Sequence, residues 1–308
     1  VVVSSVYKTH APAPLLTQPE PAVAVKMQSF PNHIHSSTHT TPQPTTQELR
    51  RSEPETLSGA QTNRQRLIRR VRAFWIEGVL EHSLQGTTVM NLGLQEQPDA
   101  VANSWQSVLQ QPGTMLRPLP PGTHITPVYD SANEALLILG APGAGKTTLL
   151  LALARDLLDR AERNTSSPVP VIFNLSSWTL KHQSLHDWLV EEMSSKYQVP
   201  RKLGHALVEH EQILPLLDGL DEVDARERAA CIHTINSYRQ EHGMQPMVVC
   251  SRITDYLAQT ERISLTSAVT IQPLTYAQVQ NYVASGGEAL HALHVALQKD
   301  TDLRELAE

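Results

Sequence analysis

The sequence has few of the features that mark secreted or membrane-spanning proteins. It contains two cysteines, Cys231 and Cys250, which form no C-x-x-C pair and no disulfide framework. We interpret both as small buried apolar residues of a protein from a reducing compartment. No apolar run approaches the roughly 18 residues that a spanning helix needs. These absences predict a cytoplasmic protein with no membrane segment in this chain.

The chain also has fewer basic than acidic residues. The chain has 25 lysines and arginines against 31 acidic residues, which gives a formal net charge of −6. An acidic chain offers no general electrostatic footprint for nucleic acid, so we expect no nucleic-acid partner. The guanine-reading pattern [NT]-K-x-D is absent as well. Its absence disfavours a GTPase.

The first 60 residues have few large apolar side chains and hold eight of the 21 prolines. Such a segment cannot bury enough surface to offset the entropy lost on ordering, so we expect a disordered linker. His33 and His35 form an H-x-H pair within it. The surrounding segment is rich in Pro, Thr and Ser, so a solvated polar tract is the favoured interpretation of this pair.

A helical pattern covers residues 63–84. Its polar face carries arginines, which we interpret as a solvated face rather than a nucleic-acid or lipid contact because the rest of the chain is acidic. These arginines are Arg66, Arg69, Arg70 and Arg72. The apolar residues at spacings of three and four are predicted to face the core: Leu67, Ile68, Val71, Phe74, Trp75, Val79 and Leu80.

The stretch ALLILG-APGAGKTT-LLLALARDLL reads as a buried strand, a glycine-rich turn and a leucine-rich helix, which is the context of a P-loop. Glycines let the backbone approach phosphate oxygens, and the N–H groups at the start of the helix attract anions. In this pattern Lys146 reaches the β- and γ-phosphates, and the Thr147 hydroxyl binds Mg²⁺. The predicted nucleotide-binding residues are Gly140, Ala141, Pro142, Gly143, Ala144, Gly145, Lys146, Thr147 and Thr148.

Strand and helix patterns alternate after the P-loop, which predicts an α/β fold with a parallel sheet covered on both faces. A short strand at 125–130 and a short helix at 100–110 are expected before it. The later strands are predicted at Pro170–Leu175, Ile213–Asp218, Met247–Ser251 and Ala268–Ile271. The helices are predicted near 184–196, 200–210, 225–241, 275–285 and 286–299.

Motif residues fall at the carboxyl ends of these strands, where such sheets bind ligands. Asp218 ends the strand ILPLLD and is placed to bind Mg²⁺, as in a Walker B motif. Asp221 and Glu222 follow and could orient or deprotonate an attacking water. Arg252 ends the next strand and could sense or stabilise γ-phosphate charge. Within ILPLLD a proline, Pro215, lacks the N–H of a central strand, so regular pairing is expected only from residue 216.

The segments GAPGAGKTT, LLDGLDE, VVCSR and IQPLT, in this order, resemble the NACHT group of STAND-type P-loop NTPases. Gly219, which gives DGLDE, is the particular mark of that group. The helix RRVRAFWIEGVLEHSL and the segment NLSSW also look like bacterial NACHT proteins. The resemblance covers residues 63–308. It implies a three-layer P-loop sandwich with core strand order 5-1-4-3-2.

The resemblance implies a slow ATPase that switches between a closed ADP state and an oligomeric ATP state. Carried over, Lys146 and Thr147 hold phosphate and Mg²⁺, and Asp218 serves the metal. Asp221 or Glu222 assists hydrolysis, while Arg252 acts as the first sensor residue.

Family members place an effector domain before the NTPase and a sensor after it. The chain begins at Val1 without methionine and stops at Glu308 inside a helical pattern, so we expect a piece of a longer protein lacking both partners. The family's winged-helix segment is expected beyond this chain. The expected division is a linker at 1–60, a helical segment at 61–122, the NTPase core at 123–285 and the start of another helical segment at 286–308.

Two other functions fit parts of the pattern. A P-loop kinase would need a substrate lid and a basic phosphate clamp, and neither is clear in the sequence. A scaffold that binds nucleotide without turnover would need only the P-loop. The neighbouring acids at 221 and 222 argue mildly against the scaffold.

Overall fold

The computed structural model describes residues 53–84, 92–102, 117–120, 122–180, 184–285 and 287–300. The predictions for the linker up to residue 52, for His33 and His35, for most of the helix at 100–110 and for residues 301–308 lie outside the described residues. Where the expected helix at 100–110 would begin, Pro98–Ala100 form a 3-10 turn and Val101 bridges to Ile263.

Within the described residues, seven strands form one mixed sheet in the order β2-β1-β7-β3-β6-β5-β4. The five core strands β3 to β7 are parallel, and counted among themselves they run 5-1-4-3-2, as expected. The difference lies at the β7 edge, where β1 and β2 add an antiparallel extension that was not predicted. The strands are β1 Leu94–Glu96, β2 Arg117–Pro118, β3 Ala135–Gly140, β4 Val169–Asn174, β5 Ile213–Asp218, β6 Met247–Arg252 and β7 Ser267–Ile271.

Helices precede, connect and follow the strands. They are α1 Glu53–Val71, a π-helix Arg72–Glu81, α2 His82–Leu84, α3 Ile125–Ser131, α4 Lys146–Arg163, α5 Leu185–Tyr197, α6 Arg201–Glu209, α7 Arg228–Glu241, α8 Ile253–Leu257, α9 Tyr276–Ser285 and α10 Gly287–Lys299. Short 3-10 turns occupy Pro98–Ala100, Leu175–Leu180 and Leu220–Glu222. The α/β class and the predicted core helices are therefore confirmed. Among the described residues, no helix has the length and apolarity needed to cross a membrane.

The core lies between the sheet and its helices. All six residues of β3 are buried, and the central strands β5 and β6 are buried except at their last residue. Cys231 and Cys250 are free and buried in this core, as predicted. Apolar residues of α9 and α10 form a separate small cluster with each other. The expected boundary between residues 285 and 286 therefore falls between two helices that share a core.

The proline in β5 has the expected effect on pairing. Along one edge β5 pairs with β4 from Ile213 to Asp218. Along the opposite edge its described pairing with β6 starts at Leu216 and continues to Leu217. A strand edge that carries a proline has no N–H at that position to donate to a neighbour. The predicted start of regular pairing at residue 216 is confirmed for the β5–β6 edge.

The expected strand at 125–130 is wrong, because this segment forms α3. Pro127 stands in the first turn of the helix, where a missing N–H costs little. Ile125 and Tyr129, four residues apart, are both buried, so the apolar spacing is helical. The Thr126 hydroxyl donates to Asp156 on α4 at 2.7 Å and links the short helix to the P-loop helix.

The N-terminal helical segment begins at Glu53 rather than Asn63, so the expected boundary at residue 60 falls inside α1. Phe74 was expected to face the core and is instead 52% exposed, whereas Ile76 is buried. The cause is the π-helix: its i→i+5 hydrogen bonds lengthen each turn and shift the inward face. Inward spacing accordingly changes from three and four residues to four and five, at positions 71, 75, 76 and 80.

The arginines of this segment divide into two kinds. Arg66 and Arg69 are exposed, as predicted for a solvated face. Arg70, however, donates to two carbonyls at the C-terminal end of α5, at 2.6 and 2.8 Å. Arg72 lies 2.7 Å from Asp159 on α4. Helix ends leave carbonyls in need of donors, which explains the contacts of Arg70, and this side chain stays exposed. The prediction of a solvated face is wrong for Arg72, whose guanidinium is partly buried against the acids of α4.

Candidate functional site

The P-loop is the turn between β3 and α4. Gly143 and Gly145 have φ values of +76° and +89°, which lie in the left-handed region that favours glycine. Gly145 is also the N-cap of α4, and it has no side chain to accept from the first helical N–H groups. Those N–H groups, together with the positive end of the helix, form a site for an anion such as phosphate.

Lys146 is the cation of this turn. Its Nζ donates to the carbonyl oxygens of Gly140 at 3.2 Å and Ala141 at 2.9 Å. Partial burial lowers the pKa of the ammonium, and the nearby carboxylate of Asp221 opposes that change. The Lys146 side chain therefore lies along the loop that the sequence predicts to hold phosphate.

Thr147 and Asp218 join the first and second motifs. The Thr147 hydroxyl donates to Asp218 Oδ2 at 2.8 Å across 71 residues of sequence. Burial raises the pKa of Asp218 to about 6, while the hydrogen bond from Thr147 works against that rise. A carboxylate whose burial disfavours its charge, beside a hydroxyl oxygen, is a donor set that suits a hard cation such as Mg²⁺.

Asp221 and Arg252 form an ion pair that the sequence did not predict. Asp221 Oδ1 accepts from the backbone N–H of Arg252 at 2.9 Å, and its Oδ2 lies 2.7 Å from the guanidinium Nε. The Asp221 side chain is 7% exposed, whereas that of Arg252 is 45% exposed. Both carboxylate oxygens of Asp221 are therefore used to orient Arg252 at the tip of β6.

Glu222 has a different environment from its neighbour. It is exposed, and its Oε2 accepts from the side-chain amide of Asn174 at 3.1 Å. Asn174 ends β4 in register with Asp218. Sequence reasoning missed this residue, although a polar side chain at the carboxyl end of the neighbouring strand was a usable signal.

Gly219 makes room for this arrangement. Its φ is +78°, and a Cβ built there would lie 3.0 Å from both Cδ and Oε2 of Glu222. Any other residue would be strained and would push the Glu222 carboxyl away from Asn174. The left-handed φ therefore favours glycine at this position, and a side chain here would require the Glu222 carboxyl to move.

All the predicted site residues meet at the carboxyl edge of the sheet. The P-loop follows β3, Asp218 ends β5, the acids 221 and 222 lie in the next 3-10 turn, and Arg252 ends β6. Lys146 lies close enough to Asp218, Asp221 and Arg252 to interact with each electrostatically. This edge is where ligands bind in open α/β sheets.

The family model of the NACHT domain matches residues 134–288, half of the 308-residue chain. The chain belongs to the NACHT family. No curated protein matches its sequence.

Several solved structures are similar at low identity. They include the Orc1 protein of Aeropyrum pernix in complex with DNA (16% identity, 54% of this chain and 47% of that chain, TM-score 0.40). PCH-2 of C. elegans has 17% identity, 55% and 44% coverage and a TM-score of 0.34. Domain III of the replication initiation protein DnaA from Thermotoga maritima has 15% identity, 68% and 86% coverage and a TM-score of 0.32. The chain spans about half the length of the first two, and none of these similarities supports a functional argument.

The matched NACHT domain is extended by elements that precede it. It starts directly before β3, yet β1 pairs with β7 and widens the NACHT sheet by two strands. The Thr270 hydroxyl on β7 bonds to the side chain of Gln97. At the opposite edge, the indole of Trp75 donates to the Tyr197 hydroxyl at 2.7 Å, which donates to the Ile172 carbonyl on β4. The described residues before 134 that form these contacts are thus packed as part of the same core.

Proposed function

We propose that this NACHT protein binds Mg·ATP, hydrolyses it slowly and uses the nucleotide state to control its own assembly and signalling output. Membership of the NACHT family supports the coarser statement that it is a nucleotide-binding NTPase. The observation that carries the proposal is the 2.8 Å contact between Thr147 Oγ1 and Asp218 Oδ2. It brings the hydroxyl and the carboxylate of two distant motifs to one point beside the phosphate-binding turn.

The phosphates and the metal ion of Mg·ATP each have candidate partners in this arrangement. The N–H groups at the start of α4 and the Lys146 ammonium would hold the phosphates. Thr147 and Asp218 would hold Mg²⁺, which when bound neutralises phosphate charge. ATP and ADP are proposed over GTP because the chain has no guanine-reading motif.

Glu222 is proposed as the residue that activates the attacking water. Its carboxylate is exposed and hydrogen-bonded by the Asn174 amide, so it can accept a proton from an attacking water bound at this edge of the sheet. Asp221 is proposed as a positioning residue, because both of its oxygens contact Arg252. Their hydrogen-bond partners therefore give Asp221 and Glu222 different proposed roles, whereas the sequence did not distinguish between them.

Arg252 is proposed to respond to the γ-phosphate. Its ion pair with Asp221 is made through Nε, and the side chain remains 45% exposed at the edge of the sheet that carries the P-loop. A cation held at this position stabilises charge that develops during phosphoryl transfer. Self-association in the ATP state, an effector before this segment and a sensor after it belong to the same proposal, by analogy with the family.

The test compares Glu222→Gln with the wild type for ATP affinity, turnover and sedimentation. Removing a positioned base lowers the rate by about 10²–10⁴ and leaves ground-state binding within a few-fold. Trapped with ATP, a longer protein that includes the flanking domains should assemble, because hydrolysis resets a two-state switch.

Three results would count against this proposal. Normal turnover in Glu222→Gln would remove the glutamate from catalysis, and wild-type binding without turnover would indicate a scaffold. If hydrolysis is lost but assembly does not increase, the protein is still an ATPase, but its nucleotide state does not control assembly.

A further inference from the structure

Two histidines and an aspartate converge between α5 and α6, and none of them belongs to the nucleotide site. Nε2 of His186 lies 3.2 Å from Nδ1 of His205. One ligand atom from each of His186, His205 and Asp187 lies within 4.8 Å of the other two. His186 is half-buried, while the other two residues are exposed, so the group is open to solvent.

The close packing of α5 and α6 brings the two imidazoles together. A Cβ on Gly204 would lie 3.2 Å from Cγ1 of Val190, which is tighter than ordinary contact. The glycine therefore lets the two helices approach at this level, and His205 is the next residue along α6. The position of His205 beside His186 is thus fixed by helix packing and does not depend on a loop.

The aspartate is also held in place. The Ser184 hydroxyl donates to Asp187 Oδ2 at 2.8 Å, and the backbone N–H of Asp187 donates to the Ser184 hydroxyl at 3.2 Å. This reciprocal cap orients the carboxyl at the first turn of α5. A hydrogen bond to a carboxylate oxygen is the kind of outer contact that orients metal ligands in proteins.

A third imidazole forms one wall of this group. The ring of His242 is stacked on that of His186 with centroids 6.2 Å apart. Its Nδ1 is paired with the Tyr238 carbonyl at 2.8 Å, and its ring stacks on Tyr238. His242 is therefore held at the end of α7 by Tyr238 and packs against one side of the His186 ring.

We propose that His186, His205 and Asp187 bind one divalent transition-metal ion of the zinc class, with water completing the coordination. Imidazole nitrogen and carboxylate oxygen are the preferred ligands of such ions. Two nitrogens 3.2 Å apart, each about 2.0–2.1 Å from Zn²⁺, would subtend an angle of about 100°, near the tetrahedral value. A hydrogen bond between the two rings also accounts for their distance, and zinc binding distinguishes this alternative from a metal site.

Zinc affinity of the full chain, measured against a chromophoric chelator after removal of metals, tests this site. Wild type should bind Zn²⁺ here, and His186→Ala and His205→Ala should each weaken that binding at least tenfold. Asp187→Asn should weaken it less, since the amide oxygen can still accept from Ser184. His210→Ala is the matched control, because it removes an imidazole at the end of the same helix α6.

A second measurement needs no variant. Diethyl pyrocarbonate acylates accessible imidazole nitrogens, and mass spectrometry locates the modified residues. In wild type, Zn²⁺ should protect His186 and His205 while His210 stays reactive. Equal modification with and without Zn²⁺ would overturn the site, as would zinc binding that persists in the His186→Ala/His205→Ala double variant.

Discussion

Replacing Asp218 with asparagine should make the nucleotide-free protein more stable at neutral pH. Burial raises the pKa of this carboxyl from 3.8 to about 6, so the folded state disfavours its charged form. A rise of roughly two pKa units corresponds to about 3 kcal/mol of unfolding free energy. This is an upper value, because the residue ends its strand and is only half-buried. Asparagine keeps an oxygen that can accept from Thr147.

Because the pKa of Asp218 is raised in the folded state, the stability gain of Asp218→Asn depends on pH. Above pH 6 the wild-type carboxyl is ionised in both states, and the folded state carries the full cost. As the pH falls from 6 to 4, the folded carboxyl takes up its proton first, so the cost disappears. The stability gain of Asp218→Asn should therefore be largest near pH 8 and absent near pH 4.

Urea unfolding of both proteins in EDTA at several pH values measures this difference. Asp224→Asn is the matched control: Asp224 is exposed, and hydrogen bonds from Arg226 lower its pKa to about 2. That substitution should give no gain at pH 8. A less stable Asp218→Asn protein, or a gain that does not change with pH, would refute the reasoning.

Two further predictions concern the nucleotide. Gly219→Ala should lower ATP turnover at least tenfold while affinity stays within a few-fold, because the new Cβ would lie 3.0 Å from the carboxyl of Glu222. Steady-state hydrolysis measures the turnover and calorimetry the affinity, and normal turnover would contradict this role of the glycine. Unlabelled ADP should displace labelled ATP more effectively than GDP in a competition assay, and equal or better binding of the guanine nucleotide would contradict the base preference.

The parts that could be predicted from the sequence are those encoded locally. The buried β3 run, the glycine-rich turn and the leucine-rich helix identify the P-loop without reference to any other segment. Apolar strands joined by helices predict the parallel sheet, and the missing N–H of Pro215 predicts where pairing with β6 starts.

The parts that were missed depend on contacts between distant residues. The three-residue strand β1 has little pattern of its own and is defined by its pairing with β7. The exposure of Phe74 follows from a π-helix whose spacing a regular helical pattern does not show. The different environments of Asp221 and Glu222 come from Arg252 and Asn174, which lie on two other strands.

Calorimetric titration of Mg·ATP into the wild type and into Lys146→Ala tests the central claim most directly. Lys146 supplies the side-chain cation of the P-loop, and a charge-assisted contact of this kind contributes about 1.5–3 kcal/mol. The wild type should bind Mg·ATP at one site, and Lys146→Ala should bind it at least tenfold more weakly. Equal affinity in the two proteins would contradict the claim that this turn holds the nucleotide.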